Sequence, residues 1–325
     1  MTTDLPPFFS PDKNGSISRR EFMKLLASTA VAAAGASLIP QSAAFSAPTP
    51  AMAMGKSSAE LLVVKGKDYR RLISEGLRLM DFPGRFLKPG GKVVIKPNAA
   101  WSRTPEQAAN TNPILISALI AACRKAGAGE IVAVENPCDN YKSAFRINGI
   151  EQAVEAAGSR LIPLVESGDF TAVTIPRGKV LKSAEVGKKI LEADLYINIP
   201  IAKVHKSGGL TMAMKNHMGA VKDRWFFHKN DLHQCIADIS SYLRPDLTIL
   251  DCTRILTTRG PKGPGNVKVL NQVIMGVDQV AIDSYGTTLF GMKPGDIGYL
   301  KAAGEMGLGV TDLSSIRITE HSLNA

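Results

Sequence analysis

Apolar and polar residues along this chain follow two different periods, and the switching between them predicts the fold. Short β-branched runs read as strands near Leu61 to Val64, Lys92 to Lys96, Glu130 to Val134, Arg160 to Leu164, Leu195 to Ile199, Leu247 to Leu250 and Val273 to Val277. Helical periods lie between them. Residues 113–126 are apolar almost all round, which predicts a helix buried between layers, and the helix over 150–157 meets Gly158 as its stop. Asp231 followed three residues later by Gln234 resembles a capping box. The helix it opens carries Leu232, Cys235, Ile236, Ile239 and Leu243 on one face, with His233 and Asp238 on opposite flanks. Strands alternating with helices imply crossover units, so the expected class is α/β, a largely parallel sheet with helices on both faces. Residues 171–190 mix Pro, Gly and short strand signals and are expected to form a small subdomain or a flap.

The first fifty residues follow another pattern. Arg19-Arg20 and Lys24 precede a mildly apolar stretch, Leu25 to Ile39, that is too short and too rich in Ala, Ser, Thr and Gly for a bilayer span. Small-residue cleavage candidates follow at 42–44 and 51–53. This order of basic start, apolar middle and small-residue end predicts a twin-arginine leader over residues 1–53, export of the folded protein by the twin-arginine machinery to the periplasm, and no stable membrane span after processing. The single α/β domain is expected over residues 60–318.

The chain has 325 residues, is 45% apolar and carries a formal charge of +10. About 270 residues beyond the leader are enough for one large core. The basic balance favours acidic ligands or surfaces. Cys123, Cys138, Cys235 and Cys252 show no Cys-x-x-Cys spacing, which argues against a zinc ribbon or ferredoxin-type cluster, and Cys123 and Cys235 fall on apolar helix faces. Disulfides among the four are neither required nor ruled out by their spacing.

In open parallel sheets ligands bind beyond the carboxyl ends of the strands. There the predicted strands deliver Lys96 and Asn98, Glu135 and Asn136, Lys203 and His205, Asp251 and Arg254, and Asp278 with Asp283 beyond it. The densest segment holds Lys203, His205, Lys206, Gly208, Gly209, Thr211, Lys215 and Asn216. Its glycine pair and a helix start capped by Thr211 would suit a phosphate or carboxylate. It matches neither a Walker A loop nor a dinucleotide fingerprint. Lys222, Arg224, Trp225 and His228 then bring cations beside aromatics, with Arg224 as a fork-shaped anion ligand. Export argues against nucleic acid as the partner. The loop Arg259 to Asn266, rich in Gly and Pro, is placed to close over the same crevice. His205, His217, His228 and His233 form no compact ligand motif and have lysine neighbours, so no metal site is assigned.

These residues resemble the domain-of-unknown-function 362 family. The resemblance rests on Lys96, Pro97 and Asn98; on Lys203 and His205; on Leu210 and Thr211 through Lys215 and Asn216 to Gly219; on Arg224 and His228; and on Pro245 to Asp251, Gly260, Asp278 and Asp283. Some relatives carry clustered cysteines for iron and sulfur, and this chain lacks them. The resemblance implies that Lys96, Asn98, Lys203, His205, Lys215, Asn216, Arg224, His228, Asp251 and Asp283 share one cleft. The expectation is an exported protein with an enzyme-like crevice for an anionic small molecule, with His205 as general acid or base. Asp251 or Asp283 would orient it or hold a metal. Two alternatives stay open, a non-catalytic periplasmic binding or accessory protein and a metal or redox-cofactor protein. No pattern selects a reaction or a cofactor.

Overall fold

Val, Ile and Leu at successive positions build strands that bury both faces, which is why the central runs show almost no polar alternation. A computed structural model describes residues 58–324. In chain order the elements are β1 (Ala59–Lys65), α1 (Tyr69–Leu79), β2 (Lys92–Pro97), α2 (Pro113–Lys125), β3 (Glu130–Glu135), α3 (Tyr141–Ile147), α4 (Ile150–Ala156), β4 (Arg160–Pro163), β5 (Phe170–Thr174) and β6 (Ser183–Gly187). They continue with α5 (Lys188–Leu191), β7 (Leu195–Ile199), β8 (Ile201–His205), β9 (Gly209–Thr211), α6 (Ala213–Asn216), α7 (Trp225–Lys229), α8 (Leu232–Tyr242), β10 (Leu247–Leu256), β11 (Val267–Gly276), α9 (Gln279–Thr287), α10 (Gly298–Glu305) and β12 (Ile316–Ser322). The expected leader, with Arg19-Arg20 and both cleavage candidates, lies outside the described residues. No helix among the described residues is long and apolar enough to cross a membrane.

Ten strands form one mixed, mostly parallel sheet in the order β12-β1-β11-β10-β7-β2-β3-β4, with β8 on β10 and β9 on β8. The pairs β2 with β3, β2 with β7, β3 with β4 and β10 with β7 are parallel, as the alternation of strands and helices requires. Alternate strand residues serve opposite layers. Val93, Ile95, Leu195, Ile197 and Met275 meet Leu72, Leu115, Leu119, Phe145 and Val154 from α1 to α4 in one core. Leu61, Val63, Tyr196, Leu250 and Ile274, equally buried, point to the other face, which α6, α8, α9 and α10 cover. The expected α/β class with helices on both faces is therefore the observed one. The segment expected as a small subdomain is a separate antiparallel pair, β5 with β6.

Two strands differ from expectation. β10 runs on to Leu256 and β11 begins at Val267, and the two pair antiparallel as a long hairpin. Asp251 had the look of a strand end. It lies instead in mid-strand, because its charge is absorbed by local partners described below. The glycine-rich loop is the turn of this hairpin, and a Cβ on Gly260 would collide with the Val204 carbonyl, so the turn lies tight against β8.

Candidate functional site

From β2 the chain steps outward to β3 and β4, then returns on the other side of β2 with β7 and β10. The order reverses between β2 and β7, and connections that leave in opposite directions open a crevice there. A cleft of about 840 Å³ occupies this place. Lys203, His205, Lys206, Lys215, Arg224 and His228 line it, together with Asn98, Thr211, Asn216 and Pro261 of the hairpin turn.

Its floor is polar and buried. Lys96, directly before the end of β2, pairs at 2.9 Å with Glu135 at the end of β3, and neither is exposed beyond 1%. Glu135 also accepts the Ala99 N–H at 2.7 Å, and Lys96 donates to the Pro97 carbonyl. Burial draws the Lys96 ammonium down and the Glu135 carboxyl up, while their mutual attraction opposes both shifts. Gly219 makes this geometry admissible. A Cβ there would collide with the Glu135 carboxylate and crowd the Lys96 ammonium. Beside the pair runs a ladder of amides in which Asn98 donates to Asn216 at 3.0 Å, Asn216 to Asn198 at 2.8 Å, and Asn198 to the Ala213 carbonyl.

Lys203 donates to Asn98 Oδ1 at 3.1 Å and to the Ala109 carbonyl. Lys215 is also buried, yet its Nζ meets only the Met218 sulfur, at 3.3 Å. A thioether is a weak acceptor. Gly208 leaves room for the Lys215 stem, because a Cβ on Gly208 would stand 2.8 Å from Lys215 Cε. Among the described residues neither lysine has a carboxylate within ion-pair distance. Burial, reinforced by Lys215, pushes Lys203 down to about 7. Burial, reinforced by Arg224, pushes Lys215 down to about 8.

His205 differs from the general acid or base expected of it. Its Nδ1 accepts the N–H groups of Ser207 and Gly208, each at 3.2 Å. Burial and the charges of Lys215 and Lys203 push its pKa down to about 3, so the imidazole is neutral near pH 7 and carries its proton on Nε2. In this state its Nε2–H is available as a hydrogen-bond donor. Arg224 uses its fork on the carbonyls of Asn136 and Pro137, which fixes the loop after β3 while leaving the guanidinium without a carboxylate partner among the described residues. Burial lowers His228 as well, and its ring packs edge-on against Trp225, which is 70% exposed.

The glycine pair does not lead into an anion-binding helix start. Gly208 and Gly209 belong to the β8–β9 hairpin, α6 has only four residues, and its first N–H groups, of Ala213 and Met214, are taken by the Asp283 carboxylate at 2.7 and 2.9 Å. Thr211 caps no helix. Its hydroxyl is buried in the cleft wall without a hydrogen-bond partner. Asp283 is thus outside the cleft lining, and burial raises it to about 7 against the pull of those two N–H groups. Asp251 is outside it too, because it accepts the Asn112 N–H at the start of α2 and both N–H and hydroxyl of Thr253. Lys96 lies beneath the lining rather than in it. The four histidines do not gather either. His217 sits in the core between Tyr196 and Gln279, and His233 stacks on Tyr299. No metal-ligating cluster of three His, Cys, Asp or Glu occurs among the described residues.

Two cleft residues carried no signal of their own in the sequence. Trp101 and Cys138 follow β2 and β3 by three or four positions, and only the strand-end rule could have flagged them. Lys262 of the hairpin turn holds Asp139 at 2.9 Å and lies over the Trp101 ring, which ties that turn to the cleft wall.

The family model described as Domain of unknown function (DUF362) matches residues 93–288. The chain belongs to this family. The matched DUF362 segment runs from β2 into α9 and so includes the cleft floor, both hairpins and every cationic lining residue. A thylakoid-associated protein of Synechocystis sp. is 24% identical over 242 residues, covering 70% of this chain and 72% of the relative. Among solved structures, the lactate racemase apoprotein of Thermoanaerobacterium thermosaccharolyticum aligns with a TM-score of 0.45 at 13% identity over 68% of this chain, and a Thermotoga maritima protein with 0.43 at 11% over 73%. This DUF362 chain spans 55% and 59% of their lengths.

Proposed function

We propose that the protein is exported and that its cleft binds an anionic small molecule. The observation that carries the binding reading is the pair of buried ammonium groups, Lys203 and Lys215, which face one cavity and, among the described residues, have no carboxylate within ion-pair distance, the Glu135 carboxylate of the same lining being held by Lys96. Buried charges are ordinarily paired. A bound anion supplies the missing partner, the orphan Thr211 hydroxyl and the Nε2–H of His205 supply neutral donors, and Trp101 with Trp225 offers flat walls for an apolar part. The reading does not choose between turnover and binding alone. Thermal melts of the chain with sulfate, phosphate, glutarate and benzene-1,3-disulfonate test it: a concentration-dependent rise is expected, and it should be much smaller in Lys203→Met and Lys215→Met. Equal shifts in wild type and both variants would sink it.

Export rests on Arg19-Arg20 and the stretch that follows. Replacing both arginines by lysine should leave the protein in the cytoplasm of a host with a twin-arginine system. Unchanged delivery to the periplasm would remove the reading.

A further inference from the structure

An amine that attacks a carbonyl carbon must be free to swing its nitrogen onto that carbon, and the lysines around the cleft differ in how firmly Nζ is held. Lys96 is committed to Glu135 and the Pro97 carbonyl, and Lys203 to Asn98 and the Ala109 carbonyl. Lys215 has, among the described residues, only a sulfur beside Nζ, its stem is held against Gly208, and it lines the cleft. A folded-state pKa of about 8 leaves about a tenth of it unprotonated at pH 7. A desolvated lysine with cationic neighbours is the arrangement that favours Schiff-base formation with carbonyl substrates.

We infer that Lys215 forms a reversible imine with an anionic carbonyl compound, of which the 2-oxo acids are the simplest class, whose charged group lies against Lys203 and Arg224. This rests on the anion-binding reading above. The Lys215 nitrogen adds to the carbonyl carbon as the C=O π pair moves to oxygen, giving a carbinolamine. The C–O bond then breaks, the two amine protons leave with that oxygen as water, and a C=N bond remains. Nothing is oxidised or reduced. The Nε2–H of His205 is the neutral donor available to the carbonyl oxygen during addition.

The test is borohydride trapping on the full chain. Protein is incubated with pyruvate or 2-oxoglutarate, reduced with sodium borohydride, digested and mapped by mass spectrometry, with glutarate as the competitor that has the same charges and no carbonyl. The expected result is one secondary-amine adduct at Lys215, suppressed by glutarate and absent in Lys215→Arg, which keeps the charge and removes the nucleophile. The wild-type peptide map decides even if that variant folds poorly. No adduct, an adduct at Lys203, or labelling spread over surface lysines overturns the inference. If glutarate nevertheless raises the melting temperature, the anion cleft stands and only the imine falls. If neither acid binds, the cleft reading fails and takes the imine with it.

Discussion

Raising the pH from 6 to 9 should dismantle the cleft's affinity for anions without unfolding the protein. The groups facing the ligand space are Lys203, Lys206, Lys215, Arg224, His205, His228, Cys138 and the Glu135 carboxylate, which Lys96 pairs from beneath. His205, at about 3, stays neutral throughout, desolvation pushes the thiol of the surface-accessible Cys138 upward, and a guanidinium keeps its charge. Lys203 at about 7 and Lys215 at about 8 both titrate inside the window. From pH 6 to pH 9 the charged fraction falls about a hundredfold for Lys203 and about tenfold for Lys215, so a ligand that needs both loses about a thousandfold in Kd. Binding must also draw protons from solution, about one per site at pH 8, because the anion restores both ammonium groups. Calorimetric titration with sulfate, whose charge is constant over this range, in two buffers of different ionisation enthalpy measures both quantities. Lys203→Met should retain only the tenfold loss. A Kd that is flat from pH 6 to 9, with no proton uptake, would refute the assignment of these lysines as the anion's partners.

Other substitutions probe the frame around the cleft. Gly219→Ala drives a methyl into the Glu135–Lys96 pair and should lower stability by about 1–3 kcal/mol in denaturant melts while weakening anion binding. Lys96→Met strands a buried carboxylate and should lower stability by about 3–5 kcal/mol, with much of the loss recovered in Lys96→Met/Glu135→Leu. Asp238→Ala removes the acceptor for the N–H groups of Lys179, Val180 and Leu181, so hydrogen exchange over residues 178–183 should accelerate at a stability loss of about 3 kcal/mol. Lys215→Met should melt above wild type at pH 7. The depressed folded-state pKa means that the unfolded chain holds more protons between about pH 8 and 10.5, so wild-type stability rises with pH there and the gap of about 3 kcal/mol should narrow to about 1 kcal/mol by pH 10.

The strands and the layer order were legible because burial on both faces leaves an uninterrupted apolar run, and because crossover connections follow from strand and helix alternation. The cationic lining was legible for a related reason. Lys203 and His205 follow the end of β7, Lys203 in the middle of β8 and His205 at its end, and a polar residue after a buried strand has the ligand crevice or solvent to go to. The same rule misplaced Asp251 and Asp283. A carboxylate that caps the N–H groups of a distant element has no local mark, since Asp251 meets Asn112 across 139 positions and Asp283 meets Ala213 across 70. Asp238 had the look of a helix flank, yet it is fully buried and holds the turn between β5 and β6. The mistaken role of Gly208 and Gly209 has a similar origin: a glycine pair before a polar helix fits an anion loop or a hairpin turn equally well, and only the pairing of Lys203 with Thr211 decides for the hairpin.

The two buried lysines link stability to recognition. Most of the water that would solvate Lys203 and Lys215 is removed when the chain folds, with no counter-ion among the described residues to replace it. Their orientation is set in advance, for Lys203 by the Asn98 side chain and for Lys215 by the gap at Gly208. An incoming anion therefore meets charges that are already desolvated and aimed, which is the condition under which electrostatic attraction is strongest. The free energy that destabilises the empty cleft is the free energy a fitting anion returns. On the anion-binding proposal, Lys215→Met should gain stability at pH 7 and lose affinity for the anion together. A variant that gains the stability and keeps the affinity would show that the strain at Lys215 serves something other than the anion.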